Sequence, residues 1–184
     1  MTTRPTSDRV REALFSMLVA DGHLGDRDGE QGARVLDLFA GSGALAFEAL
    51  SRGASAAVLL EQGRDAVLAI RTNARALEAD RLVQIVQGKV ERSLDKLAGL
   101  FGVIFVDPPY ADVREAGFAG LLARAGELLL PGGALVLEHA STDAPPAIAG
   151  LALDRSRKHG DTTLTLYVRP SNAAPDEDRG RDAL

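Results

Sequence analysis

Between Arg34 and His139 short apolar runs alternate with amphipathic stretches, and this rhythm limits the chain to very few folds. Arg34–Phe39, Ala56–Glu61, Leu82–Gln87, Phe101–Val106 and Ala134–His139 each read as a short, largely apolar strand. Ser42–Arg52, Arg64–Ala79, Val90–Ala98 and a stretch within Val113–Leu129 read as the helices between them, the last ended by Pro131-Gly132-Gly133. Strand–helix alternation of this kind builds a parallel sheet covered on both faces. Leu151–Arg157 and Thr162–Val168 then follow with little helical material between them, as an antiparallel pair would. The expectation is an α/β fold: a Rossmann-like, seven-stranded, mostly parallel sheet with helices on both faces and a C-terminal antiparallel hairpin. Ahead of it, Thr6 or Ser7 can cap a helix with Val10, Leu14, Met17 and Leu18 on one face, and Asp21–Gly32 reads as a loop.

The 184 residues suit one domain, expected over 1–170, with an N-terminal helical segment at 1–20 and the core at 33–170. Residues 171–184 hold Asp176, Glu177, Asp178 and Asp182 with almost nothing apolar, and read as a disordered tail. The absence of cysteine excludes disulfides, a thiolate nucleophile and a Cys-ligated metal. His23, His139 and His159 are too dispersed to suggest a metal site, so none is expected. No apolar run is long enough to span a membrane and no signal peptide is visible, which points to the cytoplasm. A net charge of −5 runs against nucleic acid unless cations are concentrated locally. Arg4, Arg9 and Arg11 form one such group, and Arg155, Arg157 and Lys158 another.

In an open α/β sheet ligands bind beyond the carboxyl ends of the strands. The first strand leads into Asp37-Leu38-Phe39-Ala40-Gly41-Ser42-Gly43. Glycines there let the backbone turn sharply and approach a ligand closely. Glu61, followed by Gln62, closes the second strand about twenty residues later, where an acid can accept both hydroxyl hydrogens of a ribose. Gly41-Ser42-Gly43-Ala44-Leu45-Ala46 also fits the dinucleotide fingerprint, so the loop alone leaves nicotinamide or flavin binding open. Asp37 tips the choice. An acid just before the glycines suits a ligand carrying an ammonium group and sits poorly beside a pyrophosphate, which favours S-adenosyl-L-methionine held by Asp37, Phe39, Ala40, Gly41, Ser42, Gly43, Glu61 and Gln62.

Asp107-Pro108-Pro109-Tyr110 follows the fourth strand on the same edge. The exocyclic amine of a nucleobase is a poor nucleophile because its lone pair is delocalised into the ring. The Asp107 carboxylate and the Pro108 carbonyl can accept both amine hydrogens, which favours a tetrahedral nitrogen and aims its lone pair. Two prolines fix φ and remove N–H donors. Tyr110 offers a face for stacking, worth about 1–3 kcal/mol per base. Asp107, Pro108, Pro109 and Tyr110 are therefore the candidate catalytic group of an amine methyltransferase.

With both motifs in place the chain resembles the RsmD family of bacterial 16S ribosomal RNA guanine-N2 methyltransferases. The resemblance runs from Arg4 to Val168 and is carried by Arg4–Phe15 (RPTSDRVREALF), Val35–Gly43, Glu48–Ala54, Asn73, Asp107–Tyr110 and Lys158–Thr162. It implies a class I methyltransferase that modifies a guanine N2 in 16S rRNA or the small ribosomal subunit, with a monomer as the working unit. It also implies that Arg4, Thr6, Asp8 and Arg9 help shape the substrate or cofactor pocket, while Arg157, Lys158 and His159 are expected to contact the RNA as part of the second basic group. The same motif class serves adenine N6 in DNA or RNA and glutamine in proteins, and these are the first alternatives, with a nicotinamide-dependent oxidoreductase behind them. Two departures stand out. The family's basic hairpin ahead of Arg-Pro-Thr is not part of this sequence, which starts at Met1-Thr2-Thr3. Gln87-Gly88-Lys89 stands where an Asp commonly accepts the adenine amine, and Lys89 cannot accept.

Overall fold

The computed structural model describes residues 8–25 and 32–171, with the side chains of Asp8 and Tyr110 outside the description. The expected cap at Thr6 or Ser7, residues 26–31 of the expected loop and the expected disordered tail past Ser171 also lie outside the described residues.

Seven strands, β1 (Arg34–Leu38), β2 (Ala56–Glu61), β3 (Val83–Gln87), β4 (Phe101–Val106), β5 (Leu129–Ala140), β6 (Ala152–His159) and β7 (Thr162–Val168), form one sheet in the order β3-β2-β1-β4-β5-β7-β6. The first five run parallel, and β7 inserts antiparallel between β5 and β6. The helices are α1 (Asp8–Ala20), α2 (Ala44–Ser51), α3 (Arg64–Ala76), a single turn α4 (Val90–Ser93) continued as a 3₁₀ turn over Leu94–Lys96, α5 (Tyr110–Val113) and α6 (Phe118–Gly126).

Strand alternation sorts the apolar residues into two cores. On one face Leu59, Phe105, Val136, Leu164 and Leu166 pack with Leu14, Phe15 and Leu18 of α1, Phe47 of α2 and Ile70 of α3. On the other, Leu36, Leu60, Ile104, Leu137 and Tyr167 pack with Val90, Leu94, Phe118 and Leu122. Every residue of β4 is buried, which is why FGVIFV shows no polar alternation. Phe15 and Phe105 meet with ring centroids 5.5 Å apart and fix α1 against the sheet. Fully burying a Phe of this kind contributes about 1.5–3 kcal/mol.

The helix expected within Val113–Leu129 is α6, which starts after Gly117 and ends at Gly126. Gly117 has φ 112°, a conformation that other residues resist, and the helix cannot run through it. One expectation needs correction: Pro131-Gly132-Gly133 does not end that helix. It lies inside β5 as an irregularity, where the register moves from Phe101↔Leu129 to Val103↔Ala134. Gly132 supplies φ 77°, and a Cβ on Gly133 would sit 2.9 Å from the Leu130 carbonyl oxygen. Backbone bonds with Arg169 close the bulge, and the Arg169 guanidinium donates to the Glu127 and Leu129 carbonyls.

β1 and β4 flank the point where strand order reverses. Helices leave in opposite directions there and open a crevice at the strand ends.

Candidate active site

The loop after β1 is shaped by its backbone. Phe39 and Gly41 have φ 66° and 55°, and Gly43, at φ 83°, precedes α2. A Cβ on Gly43 would lie 2.7 Å from the Phe47 ring and 2.8 Å from Leu59, so only glycine fits. The same test at Gly41 meets nothing within 4 Å, because that side faces open space. The Asn73 amide donates to the Ser42 carbonyl at 3.0 Å and steadies the loop from α3.

Asp37 stands behind this loop. It is 1% exposed, and its Oδ2 accepts the Ala46 amide hydrogen at 3.3 Å. Burial pushes its carboxyl up to about 8, Asp107 and Glu61 add to the rise, and the Ala46 amide opposes it. Glu61 faces forward. Its Oε2 accepts the Gly41 amide at 2.8 Å and its Oε1 the Gly63 amide at 2.7 Å, so one carboxylate joins the loops after β1 and β2. A carboxylate has about four acceptor positions, so two remain for a ligand.

A cleft of about 500 Å³ runs along these strand ends. Of the expected residues, Phe39, Gly41, Glu61, Gln62, Asp107 and Pro109 line it. Asp37, Ala40, Ser42, Gly43 and Pro108 are not in the lining. Ala40 and Gly43 close the turn through a 2.7 Å backbone bond. Leu60, Ala66 and Val90 add an apolar wall that the sequence reading did not name, and Gly88 and Lys89 complete it. The usable sequence signal was the Gly-Lys pair directly after β3. The Gly88 amide donates to the Glu61 carbonyl at 3.0 Å, which brings that turn into the cleft.

Asp107 extends β4 by one residue, and burial raises its carboxyl to about 7, with Glu138 contributing. Glu138 was not foreseen. It lies on β5 one position past the Val106↔Leu137 pair, level with Asp107, and is 6% exposed. Its signal was available, because Glu138 keeps step with the inward-facing Ala134 and Val136. Pro109 precedes α5 with φ −52°, which directs the chain away from the sheet. The arrangement places hydrogen-bond acceptors at β4 and β5 beside a cleft whose other half is built from β1 and β2. The side chain of Tyr110 lies outside the described residues.

Among the expected substrate residues, Arg4 and Thr6 lie outside the described residues, as does the side chain of Asp8. Arg9 is exposed on α1. On β6, Arg157 and His159 share one face of the sheet and Lys158 takes the other, so the structure separates residues that are adjacent in sequence. Among the described residues no group of three or more His, Cys, Asp or Glu is placed to hold a metal ion. No described helix is long and apolar enough to cross a membrane.

Similar proteins place this site in context. Ribosomal RNA small subunit methyltransferase D of Escherichia coli is 32% identical over 178 residues, covering 95% of this chain and 84% of its own. The Bacillus subtilis protein YlbH is 33% identical over 172 residues, 91% of this chain and 89% of its own. A conserved hypothetical protein of Streptococcus pyogenes superposes with a TM-score of 0.74 at 38% identity, covering 87% of this chain and 95% of that one. An RNA methyltransferase of Salinibacter ruber, solved with S-adenosyl-L-homocysteine, shares the fold with a TM-score of 0.65 at 21% identity, covering 96% of this chain and all of its own. The family profile described as "Conserved hypothetical protein 95" matches residues 1–168. The chain belongs to that family, the RsmD family of ribosomal RNA methyltransferases.

Proposed function

We propose that this methyltransferase uses S-adenosyl-L-methionine to methylate the exocyclic N2 amine of a guanine in 16S rRNA of the small ribosomal subunit. It does so as a cytoplasmic monomer whose residues 1–170 act as one domain. The observation that carries the reading is the shared cleft: Asp107 and Pro109 line the same cavity as Glu61 and Gly41.

The donor set fits the cofactor. Glu61 keeps acceptor positions for ribose hydroxyls beyond its two backbone bonds. Leu60, Ala66 and Val90 offer apolar surface to an adenine, and Gly41 leaves open space where a side chain would intrude. The buried Asp37 carboxyl, raised to about 8, ionises more readily once a cationic group lies near it. When bound, the cofactor supplies a methyl group on a sulfonium, electrophilic toward an amine lone pair.

The chain's own residues supply the remainder. The Asp107 carboxylate and the Pro108 carbonyl accept the two amine hydrogens and turn the lone pair out of the ring plane. As the new N–C bond forms, Asp107 takes the proton the amine gives up. Its raised pKa suits that exchange near neutrality. The rate gain comes from positioning and electrostatics, with no covalent intermediate on the protein.

The test uses small ribosomal subunits from cells lacking the gene, incubated with labelled cofactor and digested for nucleoside mass spectrometry. Label in N2-methylguanosine is the expected result, and Asp107→Ala is expected to abolish it while cofactor binding persists. Label on adenine N6 or on protein alone would overturn the substrate assignment.

A further inference from the structure

A second cavity, of about 280 Å³, lies away from the cleft, between α1 and the β6–β7 hairpin. Its floor is apolar, built from Leu14, Val136 and Leu164 among others, and its rim carries Arg155, Arg157 and His159. These three cationic or ionisable side chains alternate along β6 and so face α1 together. Arg155 is already engaged: it pairs with Asp21, just past the end of α1, at 3.2 Å and with Asp154 at 2.5 Å. The Asp21 pair ties the hairpin to the end of the helix. Arg157 is exposed and makes no ion pair with the described residues.

The cavity lies in line with the candidate catalytic group. Across the sheet, Asp107 is level with Glu138, Glu138 pairs with Leu164, and Leu164 pairs with Arg157. All four belong to the α1 face. Three strand spacings of about 4.8 Å put Arg157 roughly 14 Å from Asp107, a distance a single polynucleotide strand crosses within a few nucleotides. In a chain of net charge −5, an apolar hollow with a cationic rim fits a partner that is flat and apolar in one part and anionic in another. An unstacked nucleotide has that chemistry, and bases are known to stack on guanidinium and imidazole planes.

We propose that this cavity is a second nucleotide subsite, which takes an unstacked base flanking the methylated guanine, with Arg157 and His159 against its phosphate and ring. The subsite deepens the RNA reading given above and rests on it. By holding a neighbouring base out of the stack, it offsets part of the few kcal/mol needed to extrude the target.

Direct RNA binding tests it without needing methyl transfer. Fluorescence anisotropy with an unmethylated 16S rRNA fragment would compare wild type with Arg157→Gln, with Ala13→Trp and with Arg81→Gln. Ala13 is an exposed residue of α1 at the cavity wall, so a tryptophan there plugs the cavity from outside the core. Arg81 is exposed just ahead of β3, at the opposite edge of the sheet, and controls for overall charge. The expected result is a tenfold or greater loss of affinity for the first two and less than twofold for Arg81→Gln. Arg157→Gln should also reduce the log–log salt slope by about 0.7, one phosphate contact on a single strand. Unchanged affinity in both cavity variants overturns the subsite, as does an equal loss in Arg81→Gln. A dimer seen by sedimentation and abolished by Ala13→Trp, with RNA affinity intact, would assign the cavity to a second copy and also overturn it. If the cavity variants lose RNA while no N2-methylguanosine forms in the nucleoside assay, the subsite stands and the guanine assignment fails.

Discussion

Glu61 accepts the Gly41 amide hydrogen at 2.8 Å, so the end of β2 holds the loop that follows β1. Glu61→Ala removes that bond and the one from Gly63, and leaves two backbone donors to water. A loss of about 2–3 kcal/mol in urea unfolding is expected, given 1.5–3 kcal/mol for a bond to a charged acceptor. Affinity for S-adenosylhomocysteine, measured by calorimetry, should fall at least tenfold. Stability lost with affinity intact would show Glu61 to be a loop clasp and nothing more.

Asp107 must be ionised to accept both amine hydrogens, and in the free protein its carboxyl sits at about 7. Accordingly kcat/KM should climb with pH up to about 7 and level off above it. Asp107→Asn should lower the rate by roughly 100-fold or more, within the range typical of acid–base groups, and flatten the profile. A wild-type profile that is level across this range would remove Asp107 from the proton transfer.

Asp37 makes stability depend on pH. Its folded-state value, about 8, lies above the ordinary 3.8. The folded chain therefore holds the proton more tightly than the unfolded chain. The stabilisation is complete below the ordinary value and is lost as pH rises through about 8. Relative to Asp37→Asn, the wild type should lose up to about 1.4 kcal/mol per pH unit across that window. Parallel stability curves for the two proteins would contradict the buried, protonated carboxyl.

The two loop glycines should fail differently. Gly43→Ala forces a Cβ into Phe47 and Leu59, and a destabilisation of about 1–3 kcal/mol is expected from overpacking alone. Gly41→Ala meets no neighbour, so its stability cost should stay near 1 kcal/mol, from backbone strain. Its added methyl borders the cleft, however, and cofactor affinity should fall at least as far as in Gly43→Ala. Thermal melts and calorimetry on the pair would check this, and equal profiles would refute it.

What could be read in the sequence followed local rules. Buried parallel strands appear as unbroken apolar runs such as Phe101–Val106, and the final two strands betrayed themselves by lacking a helix between them. The glycine loop, Glu61 and Asp107 were legible because each sits where a strand stops. Pro131-Gly132-Gly133 misled, since its composition signals a loop while its pairing with Arg169 keeps it in the sheet. That pairing joins residues 36 and 37 positions apart and leaves no local trace. Glu138 was overlooked for a related reason: an acid inside an apolar strand gains its meaning from Asp107 on the neighbouring strand. The separation of Arg157 and His159 from Lys158 needed only the two-residue period of β6, but which face mattered depended on where α1 packs.

β6 ends the sheet, with one side of its backbone unpaired among the described residues. Such an edge invites strands from other molecules to add on and propagate. Asp154, Arg155, Arg157 and Lys158 crowd this one with charge on both faces. Replacing them with apolar residues would turn the rim of a cavity into a template for self-association. The cations of β6 are thus constrained twice, and their loss should first be visible as poor solubility in the crowded cell.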